Sequence, residues 1–194
     1  MYTTAFINDM LDRSIPAGSP QLKLAAHTDY SATGANVHGT KMDAVFGAAS
    51  SRSKSLSTAV DIAITATVTI KWIGLWSADG STFYGMQPNG GTDYSFQIDV
   101  TNNRIYVEGS GYANNDKVVF HNDTAPGGLT AGTTYFVVGV TSGDPDYFQV
   151  ALTQGGSAID ITSQAAAACV VSKIVEETYS SNGTHRISTF VVNI

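Results

Sequence analysis

Apolar and polar residues alternate along much of the chain, and this pattern predicts β-strands. In residues 60–72 every second residue, from Val60 through Ile64 to Trp72, is apolar, and most of the residues between them are Asp, Thr or Lys. Successive side chains of a strand point to opposite faces of its sheet, so we expect one long strand with one face in a core. Shorter alternating runs at 21–28 and 94–100 predict further strands.

One segment near the start has helical spacing instead. In residues 3–13, Phe6, Met10 and Leu11 fall on one face of a helix. A threonine can cap the first turn, and a proline follows the last one. The sequence therefore predicts an all-β protein with one short N-terminal helix.

A sharp change in net charge, together with strand spacing, divides the predicted strands into two modules. Asp79-Gly80 predicts a hairpin turn in the first module. Beyond residue 106, short apolar runs separated by Gly-rich turns predict a small barrel or meander, and they cover residues 117–120, 134–140, 147–152 and 158–161. We therefore expect a β-sandwich main module of residues 1–106 plus 174–194, with a small acidic β module of residues 107–173 inserted in it.

The amino-acid composition also favours β-strands, and it excludes some classes of function. Only 13% of the residues are charged, which is too few for mostly helical surfaces. The net charge is −6, and most of the excess lies in residues 106–163, where six acidic residues accompany one lysine. This balance argues against binding of nucleic acid through its phosphates. Since no run of about 18 apolar residues is present, we also expect no membrane insertion.

The turn-rich segment after residue 26 carries the candidate metal ligands His27, Asp29 and His38. Two imidazoles and a carboxylate can bind zinc or a similar ion if the loop folds back on itself. The alternative is that His27 ends a strand and the other two residues lie on a solvated loop. The chain has a single cysteine and no His-Glu-x-x-His spacing, so we favour this alternative and expect no metal or other cofactor.

We find no recognisable catalytic motif and expect a protein that is not an enzyme. No serine lies in a Gly-x-Ser-x-Gly motif, and the four histidines have no recognisable spacing from a partner. Trp76, Phe83 and Tyr84, beside the predicted hairpin turn, are candidate ligand contacts because exposed aromatic rings can stack on a sugar. They can also be core or subunit-contact residues, which is the interpretation we favour.

Two segments of the first module share a pattern of strand and turn. Residues 22–40 (LKLAAHTDYSATGANVHGT) have a strand that ends in His-Thr, a turn rich in Gly, Ala and Asn, and a second glycine. Residues 69–85 (TIKWIGLWSADGSTFYG) have an apolar strand that ends in an Asp-Gly turn. Together they resemble a family of small tail-fibre or minor virion proteins of tailed bacteriophages, over residues 4–100.

The second module carries a more specific likeness. Its segments are NNDKVVF (114–120), GLTAGTTYFVV (128–138), YFQVALTQGG (147–156) and AIDI (158–161). They resemble a small β module that recurs in phage structural proteins and is related in shape to a half-domain of ubiquitin-activating enzymes. Cys169 lies outside the matched stretch, so the resemblance implies a virion structural protein and not a ubiquitin-type enzyme.

The resemblance implies a non-enzymatic component of a tailed-phage virion, either a tail fibre or a head or neck decoration, that is made in the host cytoplasm. It also implies a homotrimer whose neighbouring copies cover its edge strands, with other virion proteins and a host-surface glycan as further partners. The alternative function is a secreted carbohydrate-binding module or adhesin. Apolar residues near both chain ends are candidate assembly contacts, although they can equally close the protein's own core: Phe6, Met10, Leu11, Phe190, Val192 and Ile194.

Overall fold

The structure, a computed structural model, describes residues 3–18, 20–141 and 147–193. Within these ranges the chain is mostly β-strand with one helix, so the predicted all-β class with a short N-terminal helix is confirmed. In chain order the elements are α1 (Thr4–Ser14), β1 (Pro20–His27), β2 (Val37–Val45), β3 (Ser53–Ser55), β4 (Val60–Ile64), β5 (Val68–Ile70), β6 (Trp72–Ser77), β7 (Phe83–Pro88), β8 (Asp93–Tyr94), β9 (Gln97–Asp99), β10 (Arg104–Tyr106), β11 (Lys117–His121), β12 (Thr134–Thr141), β13 (Tyr147–Ala151), β14 (Val170–Lys173), β15 (Glu177–Tyr179), β16 (Gly183–Ile187) and β17 (Val191–Asn193).

The chain divides into two compact units. Unit 1 consists of residues 1–87 and 176–194, and unit 2 consists of residues 88–175. The sequence predicts that the second module begins at residue 107, but β8, β9 and β10 pair within the sheet of unit 2. Residues 88–106 therefore belong to the second unit and not to the first. Alternation along a strand shows which residues share a face, but it does not show which sheet the strand joins.

Unit 1 contains a four-stranded sheet in the order β2-β1-β6-β7. The central strand β1 is buried along most of its length, and it pairs antiparallel with both β2 and β6. The predicted hairpin turn joins β6 to β7, and there the Gly80 N–H donates to the Ser77 carbonyl at 2.8 Å. Gly80 has a φ of +75°, a backbone angle that glycine adopts without steric cost.

A broken two-stranded ribbon supplies the rest of the unit 1 core. Residues 53–70 run antiparallel to residues 177–193 as the pairs β3–β17, β4–β16 and β5–β15. The residues of β4 are alternately buried and exposed, as the sequence predicts. The single strand predicted for residues 60–72 is nevertheless interrupted after Ile64. In this gap the Ala66 N–H donates to the side-chain oxygen of Asn182 at 2.9 Å and not to a neighbouring strand.

Each edge strand of the four-stranded sheet is tied to the ribbon at one end. Phe46, directly after β2, forms a bridge with Leu56 beyond β3. Gln87 on β7 donates its side-chain N–H to the Val191 carbonyl of β17 at 2.6 Å. The sheet and the ribbon thus enclose one apolar core.

Helix α1 is fastened to unit 1 by a buried lysine. The helix begins at Thr3, whose hydroxyl accepts the Phe6 N–H at 3.3 Å. Lys54 on β3 is fully buried, and its Nζ donates to an Asp12 carboxylate oxygen at 2.7 Å. This hydrogen bond lowers the pKa of Asp12. One face of α1 is therefore held against the unit, while Phe6 and Met10 remain 46% exposed on another face.

Unit 2 is a seven-stranded antiparallel sheet in the order β8-β14-β11-β12-β13-β10-β9. The two edge strands are consecutive in the chain, and only residues 95–96 separate them. So short a link cannot exceed about 11 Å, and the sheet must curl until its edges approach each other. The sheet thus closes toward a small barrel, one of the two forms predicted, with a core rich in aromatic and β-branched side chains. It uses seven strands, and residues 158–161, which the sequence predicts as a strand, are not one.

Candidate functional site

The three candidate metal ligands do not converge. His27 lies opposite Val37 in the pairing of β1 with β2, so His38, the next residue along β2, points to the opposite face of the sheet. There the Nε2 of His38 accepts the Thr65 N–H at 3.2 Å. Asp29 is exposed, and its carboxylate accepts the backbone N–H of the following residue. Within the described ranges, no cluster of three or more His, Cys, Asp and Glu side chains is suited to hold a metal ion.

His27 is instead a fully buried residue of the unit 1 interior. Its Nδ1 lies 2.7 Å from the Ala35 carbonyl, and since a carbonyl only accepts, Nδ1 carries the proton. Burial lowers the pKa of this imidazole, and the charge of Lys41 lowers it further. A neutral, enclosed imidazole of this kind positions the loop after β1 and does not reach an external ligand.

Of the three candidate aromatic contacts, only Tyr84 is open to solvent. Trp76 is 7% exposed, and its ring lies nearly parallel to that of His27 with 6.2 Å between their centroids. The Lys41 ammonium sits 3.2 Å from the centroid of the Trp76 ring, and the Phe83 ring is 5.1 Å away. Neighbours from β1, β2 and β7 surround Trp76, so it is a core residue, as in the interpretation favoured from the sequence, and not an exposed stacking platform. Tyr84 is 59% exposed.

Gly34 explains why Trp76 is inaccessible. A Cβ at Gly34 would lie 2.6 Å from the Trp76 indole and 2.7 Å from the Phe83 ring. The loop backbone therefore packs directly on both rings, and only a glycine leaves room for that approach. The sequence shows the glycine but not what it covers.

The candidate assembly residues separate into two groups. Leu11 and Phe190 are buried, and Phe190 lies in the main core of unit 1, where its ring packs edge-on against that of Phe46. Val192 is partly buried against the same core, and Ile194 lies outside the described residues. Leu11 and Phe190 therefore close the protein's own interior. Phe6 and Met10 are the two predicted assembly residues whose side chains are open to solvent.

A polar cluster in unit 2 was missed by the sequence analysis. Asp93 on β8, His121 on β11 and Ser172 on β14 meet on neighbouring strands of the barrel. Ser172 Oγ donates to Asp93 at 2.6 Å and lies 2.8 Å from His121 Nε2, while His121 Nε2 is 3.2 Å from the same carboxylate oxygen. The residue types match a nucleophilic triad, but they lie far apart in the chain and no spacing pattern reveals them.

The geometry of this cluster is structural and not catalytic. In a Ser-His-Asp triad the serine and the carboxylate contact different ring nitrogens, whereas here both contact His121 Nε2. Ser172 is fully buried and gives its proton to Asp93, so its oxygen is neither exposed nor activated. Burial raises the pKa of Asp93, but the hydrogen bonds from His121 and Ser172 outweigh it, and the pKa lies below its ordinary value. The ionised carboxylate thus joins three strands.

The comparisons identify no relative of this chain. A scan against protein-family models, a search of curated proteins and a search of solved structures each returned no match. Among the residues that the structure describes, no helix combines the length and the apolar character that crossing a membrane requires.

Proposed function

We propose that this protein is a non-enzymatic structural component of a tailed-phage virion, a tail fibre or a head or neck decoration, that acts by self-association and docking on the particle. The observation that carries the proposal is the outer face of α1. Phe6 and Met10 are one helical turn apart and each 46% exposed, while the opposite face is fixed to unit 1 through Lys54. An apolar face held against the unit from its other side is suited to docking on a neighbouring subunit.

The two exposed side chains of α1 contribute too little free energy to hold a single pair of copies together, which favours an assembly with several such contacts. Full burial of one large apolar side chain contributes about 1.5–3 kcal/mol, so two half-exposed side chains together contribute about 1.5–3 kcal/mol per contact. This is less than the entropy lost when two free proteins associate. In a closed ring each copy makes the contact on both sides, and a homotrimer is the assembly that the resemblance implies.

The negative charge of unit 2 supports a position of the protein on the outside of a phage particle. Unit 2 carries eight acidic and three basic residues, a net charge of −5, whereas unit 1 carries a net charge of −1. An acidic unit repels the packaged DNA and keeps particles apart in solution.

Light scattering coupled to size-exclusion chromatography tests the assembly step. We expect the unaltered protein to elute as an oligomer and the double variant Phe6→Ser/Met10→Ser to elute as a monomer with an unchanged circular-dichroism spectrum. Tyr84→Ser is the matched control, since it removes an aromatic ring of comparable exposure elsewhere on unit 1. A monomeric unaltered protein, or a double variant that keeps the oligomer, would contradict docking through α1.

The secreted carbohydrate-binding module or adhesin remains the second candidate, and exposed Tyr84 favours it. An aromatic ring open to solvent can stack on a sugar. For this function we expect the protein to bind a glycan on a glycan array and Tyr84→Ala to abolish that binding. We also expect the protein to be found free outside its cells.

A further inference from the structure

The loop that joins β1 to β2, residues 28–36 and here called the strap, covers one face of the four-stranded sheet in unit 1. His27 and Trp76 alternate with residues of the apolar core along β1 and β6, so they lie on the face that turns away from that core. Gly34 of the strap is buried against the rings of Trp76 and Phe83. The strap therefore shields these rings from solvent.

Hydrogen bonds hold the strap to the sheet. Its two ends are joined by one backbone hydrogen bond of 3.0 Å. Near one end, the Ala35 carbonyl accepts the Nδ1 proton of His27 at 2.7 Å. Near the other, the Ser31 N–H donates to the Met86 sulfur at 3.3 Å. A thioether is a weak acceptor, so the hydrogen bond from His27 is the stronger of these two links between strap and sheet.

The imidazole that makes this link is poorly placed to take up a second proton. Its Nε2 lies against Gly74 of β6, and among the residues that the structure describes no hydrogen-bond partner reaches this buried nitrogen. A charge that is enclosed without such a partner is strongly destabilised. Burial accordingly lowers the pKa of His27, the hydrogen bond to Ala35 opposes this shift, and the charge of Lys41 adds to it.

The charged and titratable groups around the strap do not offset that cost. Within the described ranges, those on the strap and on this face of β1 and β2, besides the imidazole itself, are Asp29, Tyr30, Lys23, Lys41 and Asp43. Lys23 and Asp43 pair with each other, and the exposed carboxylate of Asp29 accepts a backbone N–H of the strap. From β6 and β7 the uncharged rings of Trp76 and Phe83 face the imidazole.

We propose that His27 is an acid-sensitive latch: the strap stays closed while the imidazole is neutral and moves away from the sheet when the imidazole takes up a proton. Once the strap is open, water can solvate the charged ring, so protonation favours the open state. The closed state is fully favoured above about pH 6.5, and this preference is lost as the pH falls below that value. Opening exposes Trp76 and Phe83. The latch lies within unit 1 and does not depend on docking through α1.

Acrylamide quenching of tryptophan fluorescence at about pH 7.5 and about pH 5.5 tests the latch on the full protein, because both tryptophans lie in unit 1. We expect quenching to be several-fold stronger at the acidic pH, with an unchanged far-ultraviolet circular-dichroism spectrum. His27→Asn keeps a donor for the Ala35 carbonyl but cannot take up a proton, so its quenching should stay weak at both pH values.

Two further variants are the controls. A Cβ at Gly34 would lie 2.6 Å from the Trp76 indole, so Gly34→Ala should displace the strap and give strong quenching at both pH values. His185→Gln changes another buried histidine of unit 1, and it should respond to acid as the unaltered protein does.

The outcomes separate the latch from general acid unfolding. Equal quenching of the unaltered protein at the two pH values, or an acid response that His27→Asn retains, would overturn the latch. An acid response that comes with loss of the native circular-dichroism spectrum would overturn it as well, because unfolding of unit 1 would then expose the tryptophans. If His27→Asn fails to fold, an NMR titration of the unaltered protein decides: the His27 imidazole and the Trp76 indole N–H must change at the same pH, and separate midpoints would exclude the latch.

Discussion

Replacement of Gly74 by alanine tests how closely β6 packs against His27. A Cβ at Gly74 would lie 2.3 Å from His27 Nε2, whereas ordinary contact begins at 3.4 Å. The imidazole would therefore have to move by about 1 Å, although it is fully buried and its Nδ1 donates to the Ala35 carbonyl at 2.7 Å. Overpacking costs about 1–3 kcal/mol and loss of a hydrogen bond about 1 kcal/mol. We expect Gly74→Ala to lower the free energy of unfolding by about 2–4 kcal/mol.

Urea denaturation followed by tryptophan fluorescence measures this change, because both tryptophans lie in unit 1. Gly47→Ala is the matched control, since its Cβ would meet a single neighbouring atom, the Ser55 carbonyl oxygen at 3.8 Å. We expect that control to change the free energy by less than about 0.5 kcal/mol. In a His27→Ala background Gly74→Ala should cost far less than it does alone. A cost below about 1 kcal/mol, or the same cost in both backgrounds, would refute the steric argument.

Three further predictions concern a thiol, an imidazole and the division into units. Burial raises the pKa of Cys169 to about 11, so the native thiol should react slowly with Ellman's reagent at about pH 8 and be labelled only after urea unfolds the protein. Rapid labelling of the native protein would contradict the burial of this thiol. Burial lowers the pKa of His185 despite the nearby carboxylate of Glu177. The folded protein therefore favours the neutral imidazole, which contributes fully to stability above about pH 6.5. This contribution is lost as the pH falls below that value. The urea midpoint should therefore drop from about pH 7.5 to about pH 5.5, and less so in His185→Gln; an equal drop in both proteins would argue against His185 as the cause. Deletion of residues 88–175 removes unit 2 as a whole, so the remaining chain should keep a cooperative thermal transition in circular dichroism. Deletion of residues 109–165 removes β11, β12 and β13 and leaves the other strands of that sheet without partners, so this shorter protein should be insoluble. Absence of a cooperative transition after deletion of 88–175 would show that unit 1 does not fold alone.

Local signals made part of the fold predictable. Helix α1 follows from a capping threonine and helical apolar spacing, and the β6–β7 hairpin follows from Asp79-Gly80. Both depend on contacts between residues near each other in the chain. The ribbon depends instead on pairing between distant segments, such as Ile62 with His185, and no local pattern encodes that partner. The boundary at residue 88 was missed for the same reason.

The candidate sites were predicted less well because burial depends on tertiary packing. The sequence shows that Trp76 lies beside a turn. It does not show that the Trp76 ring is buried by Gly34 and Lys41, which come from other parts of the chain. Lys54 lies in a polar stretch that predicts a loop or a weak edge strand, yet it is fully buried because Asp12 of α1 meets its ammonium. In each case the deciding neighbour is remote in sequence.

Mass spectrometry of gradient-purified phage particles from the source culture tests our proposal that the protein is a structural part of a virion. We expect peptides of this protein in the particle band at a constant stoichiometry to the major capsid protein. If these peptides are absent from that band and the protein is recovered free in the culture medium, the protein is not a virion component and the adhesin is favoured.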